Sequence, residues 1–349
     1  MMYQPRVSIV IPTFNQRPEY LRASLNSALS QTYGNFEVVV SDNHSTNEVP
    51  SVLATYSDPR LRIIRPDKHL QLTEHFAFAM DAARGEFLSI LSSDDWVAPD
   101  WLSSLMPLFD GHPEAVFGFG EIINVDHDNL DQANYLYRKG AMPTGVYLPE
   151  HMLPIMFGFD RNASWMIGDV IRASAYREAG GIGYGGLKYS SDWALAVRLL
   201  ELGSAVYVNQ PIARYRTWGR AEGKVDSSRF VASTSDIVEV YKMLEGSPKL
   251  QGALRQLQPR LVKAKRAKAR LHTLMLLEAL ALGDVEEPTL GRVKELICKL
   301  DPSARRRWLM AACGLPLGSV LRLIYGPAMG AYRSDIGQWL MGRKQILAK

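Results

Sequence analysis

Cysteine is scarce: Cys298 and Cys313 are the only two in 349 residues. That excludes a disulfide framework and points to a reducing compartment. No secretory signal is expected either. Met1-Met-Tyr-Gln-Pro-Arg6 runs directly into a strand-like stretch without an apolar h-region, so the expected location is cytoplasmic. The uncharged stretch from Trp308 to Leu321 is interrupted by Arg322 and falls short of the ~20 apolar residues a spanning helix needs. A strong charge imbalance is also lacking. A net charge of +4 is mild and gives no reason to expect nucleic acid as a partner. There is no internal repeat and no low-complexity tract. With 22% charged and 47% hydrophobic residues, the chain has a globular composition, long enough for one large domain and a smaller one.

What is present is an alternation. Val7-Ser-Ile-Val-Ile11 and Phe36-Glu-Val-Val-Val40 are β-branched runs, and Leu61–Ile64 and Phe87–Leu91 read as two more strands. Between them, Pro18–Gln31 and Leu72–Ala83 carry apolar residues at helical spacing. This predicts a doubly wound α/β sheet whose strands release polar residues at one edge. Ala115–Phe119 and Ile122–Val125 read as two strands around Gly118 and Gly120, and Asp169–Ala179 as a helix. Gly181, Gly183 and Gly186 formally satisfy G-x-G-x-x-G. The run follows a helix instead of a strand, which excludes a dinucleotide fingerprint and suggests a glycine loop able to close over a ligand. A helix over Trp193–Leu202 follows, then extended pieces at Ala205–Val208 and Pro211–Tyr215. From about Ser227 long helical patterns take over, so the expected domains are 1–225 and 226–349.

Three places carry chemistry. The strand Phe87–Leu91 stops at Ser92-Ser-Asp-Asp95. Adjacent carboxylates at such an edge suit a hard divalent cation, which would neutralise phosphates; they equally suit an Asx turn capping the next helix. Asp42, in the polar exit of the second strand, suits an Asx turn or a ligand contact. Asp192 opens a helix after the glycine loop, as a cap or as a general base. Farther along, Lys263, Lys265, Arg266, Lys268 and Arg270 make a basic segment. Arg305-Arg-Arg-Trp308 and the apolar Leu309–Leu321 follow it. That series suits either a helix lying in a membrane interface or an ordinary packed helical subdomain.

Four stretches together resemble a known family. They are Val7–Asn15, Glu37–Thr46, Ala83–Phe87 with Ser93-Asp-Asp95, and Ser191-Asp-Trp193 with Arg198. Their order and spacing are similar to those of inverting family 2 glycosyltransferases, over roughly residues 6 to 220. The resemblance implies a GT-A type, Rossmann-like nucleotide-sugar-binding domain, here followed by a mostly helical C-terminal region. It implies that Pro12, Thr13 and Phe14 and the first acid after strand two, Asp42, hold the donor base. Phe14 would stack and Asp42 would accept a base N–H. It further implies that Asp94 contacts the ribose side, that Asp95 meets Mn²⁺ or Mg²⁺, and that Asp192 is the catalytic base. The chain departs from the family at Ser92, Ser191 and Trp218, where acids and a metal-shell His are usual.

The expected function is transfer of a sugar, with inversion, from a UDP- or dTDP-linked donor. The expected acceptor is a glycan or lipid-linked saccharide in bacterial surface polysaccharide synthesis, at the inner face of the cytoplasmic membrane with peripheral contact. Two rivals stay open: a nucleotidyltransferase, and a GT-A module that binds glycan or a partner without turnover. Against the first, Pro12-Thr-Phe-Asn15 stands where a Gly-rich phosphate loop would be.

Overall fold

The computed structural model describes residues 4–126, 133–137, 142–157, 167–217, 227–282 and 287–304. They fall into two compact units. One is drawn from Met1–Ala221 and Glu239–Leu261, the other from Glu222–Val238 and Val262–Lys349.

The first unit opens with β1 (Val7–Thr13), α1 (Pro18–Leu29), β2 (Phe36–Asp42), α2 (Val49–Leu53), β3 (Leu61–Ile64), α3 (Leu72–Asp81) and β4 (Phe87–Ile90). β1 pairs in parallel with both β2 and β4, and β2 with β3. The spatial order β3-β2-β1-β4 means that the chain builds outward on one side of β1 and then returns to its other side. Ligands of doubly wound sheets sit at that reversal, beyond the carboxyl ends of the strands. The rest comprises β5 (Trp96–Val97), α4 (Trp101–Gly111), β6 (Ala115–Asp126), β7 (Ala133–Tyr137), β8 (Gly145–Tyr147) and α5 (Pro149–Phe157). Then come β9 (Val170–Arg172), α6 (Ala173–Glu178), α7 (Ser191–Leu200) and β10 (Ser204–Thr217).

Alternation explains the packing. Val7, Ile9 and Ile11 of β1 share a buried cluster with Phe36, Val38 and Val40 of β2 and with Leu21, Leu25 and Ala28 of α1. Pro18 begins α1, where a missing N–H costs nothing. The other parity of β1 and β2 carries a polar staple. Ser8 Oγ donates to Glu37 at 2.6 Å, and the amides of Arg84 and Gly85 donate to Glu37 and Ser8 at 2.9 and 2.8 Å. The staple locks the turn before β4 to the starts of β1 and β2.

Three local readings change. Residues 115–126 form one strand, β6, instead of two. Gly118 and Gly120 serve close approach: an added Cβ would lie 2.5 Å from Val206 and 2.7 Å from Val208. Val170–Arg172 is a strand, because Ile171 pairs antiparallel with Leu88 of β4 and Phe117 of β6 and bridges the two. The two extended pieces after Gly203 are one strand, β10, whose register shifts around Pro211 absorb the missing N–H.

α8 (Ser227–Gly246), α9 (Gln251–Leu282) and α10 (Glu287–Leu300) follow, so the described residues beyond Ser227 are mostly helical. Within the second unit, Thr234 bonds the buried His272 at 2.8 Å, and burial pushes that imidazole down to about 4. The Lys263–Arg270 segment lies on α9, while Arg305–Trp308 and Leu309–Leu321 lie outside the described residues. Among the described residues no helix is long and apolar enough to cross a membrane.

The staple gives a stability test. A Cβ at Gly85 would meet Phe87 O at 2.6 Å and Ser8 N at 2.7 Å, both backbone atoms that cannot swing aside. Gly85→Ala should therefore lower unfolding free energy by about 1–3 kcal/mol, the usual cost of overpacking. Urea denaturation with an unchanged m-value checks it; an unshifted midpoint would refute the close fit.

Candidate active site

The carboxyl ends of β1, β2 and β4 lie on one edge, with Thr13 level with Asp42 in the sheet register. A cleft of about 420 Å³ opens there, within the usual size of small-molecule sites. Pro12 and Thr13 at the end of β1, with Phe14 just beyond it, form its floor, and Ser92, Ser93 and Asp94 one wall after β4. The facing wall is Asn43 with the segment from His69 to Leu72 and, from α3, His75 and Phe76. Four of the seven sequence-predicted site residues thus come together: Pro12, Thr13, Phe14 and Asp94. Asp42, Asp95 and Asp192 do not line the cleft.

Phe14 is 47% exposed and lies tilted against His69, ring centroids 4.5 Å apart. A large aromatic ring left open at a strand end is a ready stacking surface. Thr13 Oγ1 is buried and has no hydrogen-bond partner among the described residues. The loops after β1 and β2 brace each other. Asn15, at a φ of 48°, accepts the Thr46 amide at 2.8 Å, and its own amide donates to Ser45 Oγ at 2.9 Å.

Asp42 closes an internal turn. It accepts the Ser45 amide at 2.9 Å and bonds the Arg65 guanidinium. Burial works against its charge, but the Ser45 and Arg65 bonds outweigh it and hold the carboxyl below its ordinary value. Asn43 is likewise committed: its amide exchanges two 2.9 Å bonds with the backbone of Leu70, which fixes the cleft wall. Burial pushes His75 down to about 4, so that ring is neutral at physiological pH.

The Asp94–Asp95 turn is held from across the sheet. Arg216 of β10 donates its amide to Asp95 Oδ1 at 2.8 Å and its Nε to the Asp94 carbonyl at 3.0 Å. Its guanidinium carbon sits 3.8 Å from the Tyr20 ring centroid and 5.2 Å from that of Trp96. Neither Nη has a hydrogen-bond partner among the described residues. Burial, and after it the charge of Asp94, raises Asp95 well above the ordinary carboxylate value. Asp95 Oδ2 is buried without a hydrogen-bond partner among the described residues.

An orphaned carboxylate oxygen beside a second carboxylate fits a cation, so Asp94 and Asp95 are the residues present that would hold Mn²⁺ or Mg²⁺. Among the described residues no third His, Cys, Asp or Glu joins them, and Trp218 lies outside those residues.

Asp192 occupies the first turn of α7, with its Oδ1 accepting the Trp193 amide at 2.8 Å. The glycine loop precedes it. Gly183, at a φ of 88°, requires the left-handed region, and a Cβ there would lie 3.0 Å from Thr73 of α3. The loop therefore abuts the helix start that supplies Gln71 and Leu72 to the cleft. Arg198 of α7 stacks on Tyr184 at 5.0 Å and ties loop to helix.

The sequence reading missed Arg216 and His69 as site residues. Its place two residues before Trp218, where the family's metal-shell His is usual, was the available signal for the first. For the second there was none, because its neighbours come from separate loops.

Residues 8–168 match the model of glycosyl transferase family 2. Over 168 residues the chain is 35% identical to the succinoglycan biosynthesis protein ExoO of Rhizobium meliloti, covering 46% of each chain. It is 27% identical over 200 residues to the uncharacterized protein y4gI of Sinorhizobium fredii, 56% of this chain and 20% of that one. The chain thus spans less than half the length of either relative. The fold matches that of residues 1–349 of S. aureus TarS, solved with UDP-GlcNAc. The TM-score is 0.54 at 15% identity, over 86% of this chain and 92% of that one. The fold is GT-A.

Asp95 yields a pH-dependent prediction. Its carboxyl is raised in the folded state, so the fold retains a proton there at pH values where the unfolded chain has lost it. The ligand-free protein therefore loses stability as pH rises from about 4 through the folded value. Asp95→Asn keeps an acceptor for the Arg216 amide and removes that titration. Without divalent cations the variant should be about 1–3 kcal/mol more stable than the parent near neutral pH. The gap should close as pH falls toward about 4. Denaturant midpoints at both pH values check this; a variant weaker at neutral pH would overturn it.

Proposed function

We propose that the chain is an inverting glycosyltransferase acting on a nucleoside diphosphate sugar, UDP- or dTDP-linked. Its acceptor is a glycan or lipid-linked saccharide in the assembly of a bacterial surface polysaccharide. The observation that carries this reading is the cleft at the sheet's reversal point. It is floored by Pro12-Thr-Phe14 and walled by Ser92-Ser-Asp94, inside a family 2 segment. UDP-GlcNAc in TarS and the biosynthetic role in the name of ExoO support the donor and pathway class. Residues 1–225 would form the catalytic domain and 226–349 the helical one.

In this reading the base stacks on Phe14, and Asp42 acts by holding the loop that shapes the base end. The ribose and diphosphate run toward Asp94. A divalent cation, held by Asp94 and Asp95, would supply positive charge to the leaving diphosphate. The acceptor hydroxyl attacks the anomeric carbon from the face opposite the diphosphate. A carbon–oxygen bond forms, the bond to the diphosphate oxygen breaks, and Asp192 takes the hydroxyl proton. One displacement inverts the configuration. The first turn of α7 fixes the direction of that carboxylate, and the adjoining glycine loop can close over the sugar. The basic Lys263–Arg270 segment of α9 would draw the protein to anionic lipid at the cytoplasmic membrane face, with salt sensitivity.

Asp192→Asn preserves shape and helix start while removing the proton acceptor. Transfer rate should fall by about 10²–10⁴-fold, with donor affinity nearly unchanged. Calorimetry and transfer assays on one preparation test both halves; turnover above about a tenth of the parent's would reduce Asp192 to a helix-capping residue.

Liposome flotation tests the membrane contact. The full chain should float with anionic vesicles at low salt and be released by about 0.5 M salt, where screening is within a few ångströms. Equal flotation with neutral vesicles, or none with either, would count against it.

A further inference from the structure

We propose that His69 reads the nucleobase, selecting donors whose base presents a protonated ring nitrogen: uracil, thymine or guanine. The inference rests on the nucleotide-sugar reading above. It deepens that reading by assigning recognition to a residue other than Asp42.

The geometry sets the tautomer. His69 Nδ1 lies 3.0 Å from the backbone carbonyl of Asn43. A carbonyl oxygen only accepts, so Nδ1 carries the proton. In the neutral imidazole Nε2 is then the acceptor. The carbonyl that fixes this is itself held: Asn43 exchanges two side-chain bonds with Leu70, and its amide donates to the Thr13 carbonyl at 2.9 Å. The ring therefore stands on a braced wall. It is exposed on the cleft, and Nε2 makes no bond among the described residues.

Its place matters as much as its protonation. The ring lies 4.5 Å from Phe14, tilted by 55°. A base stacked on Phe14 would meet the edge of His69. A carboxylate and an amide near this end are already spent, while Thr13 Oγ1 is buried without a hydrogen-bond partner among the described residues. Asp42 bonds Ser45 and Arg65 and does not line the cleft, and the Asn43 amide is consumed by Leu70. His69 Nε2 is thus an exposed ring acceptor at this end of the cleft. An acceptor needs a donor opposite: the N3–H of uracil or thymine, or the N1–H of guanine. Cytosine places an unprotonated N3 there, and two acceptors facing each other repel. A desolvated polar group left unpaired costs more than the net worth of the bond it replaces.

Titration calorimetry with UDP and CDP tests this on the full chain, comparing the parent with His69→Phe. The variant keeps a ring against Phe14 and loses the acceptor. Because His69 is exposed, folding should survive, and a thermal melt verifies it. The parent should bind UDP about tenfold or more tighter than CDP, the worth of one discriminating hydrogen bond. In His69→Phe the two affinities should converge to within about threefold, mainly through weaker UDP binding. A variant that keeps the parent's preference, or a parent that binds UDP and CDP alike, overturns the role of His69 and leaves the nucleotide reading intact. A parent that binds no nucleotide diphosphate overturns both.

Discussion

Arg216 reaches the turn after β4 twice, with its amide into the Asp95 carboxylate and its Nε onto the Asp94 carbonyl. These bonds join strands that are far apart in sequence, and they decide which of two adjacent carboxylates faces the cleft. Asp95 turns inward and is buried, while Asp94 keeps its place on the lining. The guanidinium lies against Tyr20 of α1 and near Trp96 beside the turn, so one side chain ties helix, strand and turn together. A planar group can stack and donate at its edge at once, which an ammonium cannot.

The same economy runs through the cleft walls. Asp42 and Asn43 spend their hydrogen-bonding capacity on neighbouring loops, and that spending fixes where Phe14, His69 and Leu70 stand. A site whose walls are ordered beforehand loses less entropy when a ligand arrives. Two oxygens left with unused capacity, Thr13 Oγ1 and Asp95 Oδ2, lie at the end of β1 and just after β4, where the sheet order reverses.

Much of the fold was legible along the chain. Parallel strands buried on both faces need near-continuous apolar runs, and Val7–Ile11, Phe36–Val40 and Phe87–Ile90 supply them, each broken once, at Ser8, Glu37 and Ser89. Leu61–Ile64 matched to the residue. Other elements were hidden because their cause is remote. Gly118 and Gly120 look like breaks, yet they keep β6 continuous by making room for Val206 and Val208 of a strand some ninety residues later in the chain. Val170–Arg172 looks helical in its local context and becomes a strand because a gap between β4 and β6 needs filling. Local propensity is a weak prior against such pairing.

By itself the sequence determined the doubly wound order of the first four strands, the polar exits at one edge and the change to helices near Ser227. Each of these follows from periodicity and short-range turn chemistry. It also brought Pro12, Thr13, Phe14 and Asp94 to one place, since strand ends on a common edge converge. The tertiary structure decided the direction of each carboxylate. Asp42 and Asp94 both leave parallel strands in polar loops, and nothing local separates them. Asp42 turns to Arg65 and Ser45, and Asp94 lines the cleft, because hydrogen-bond partners for a buried oxygen come from whichever loop the fold brings near.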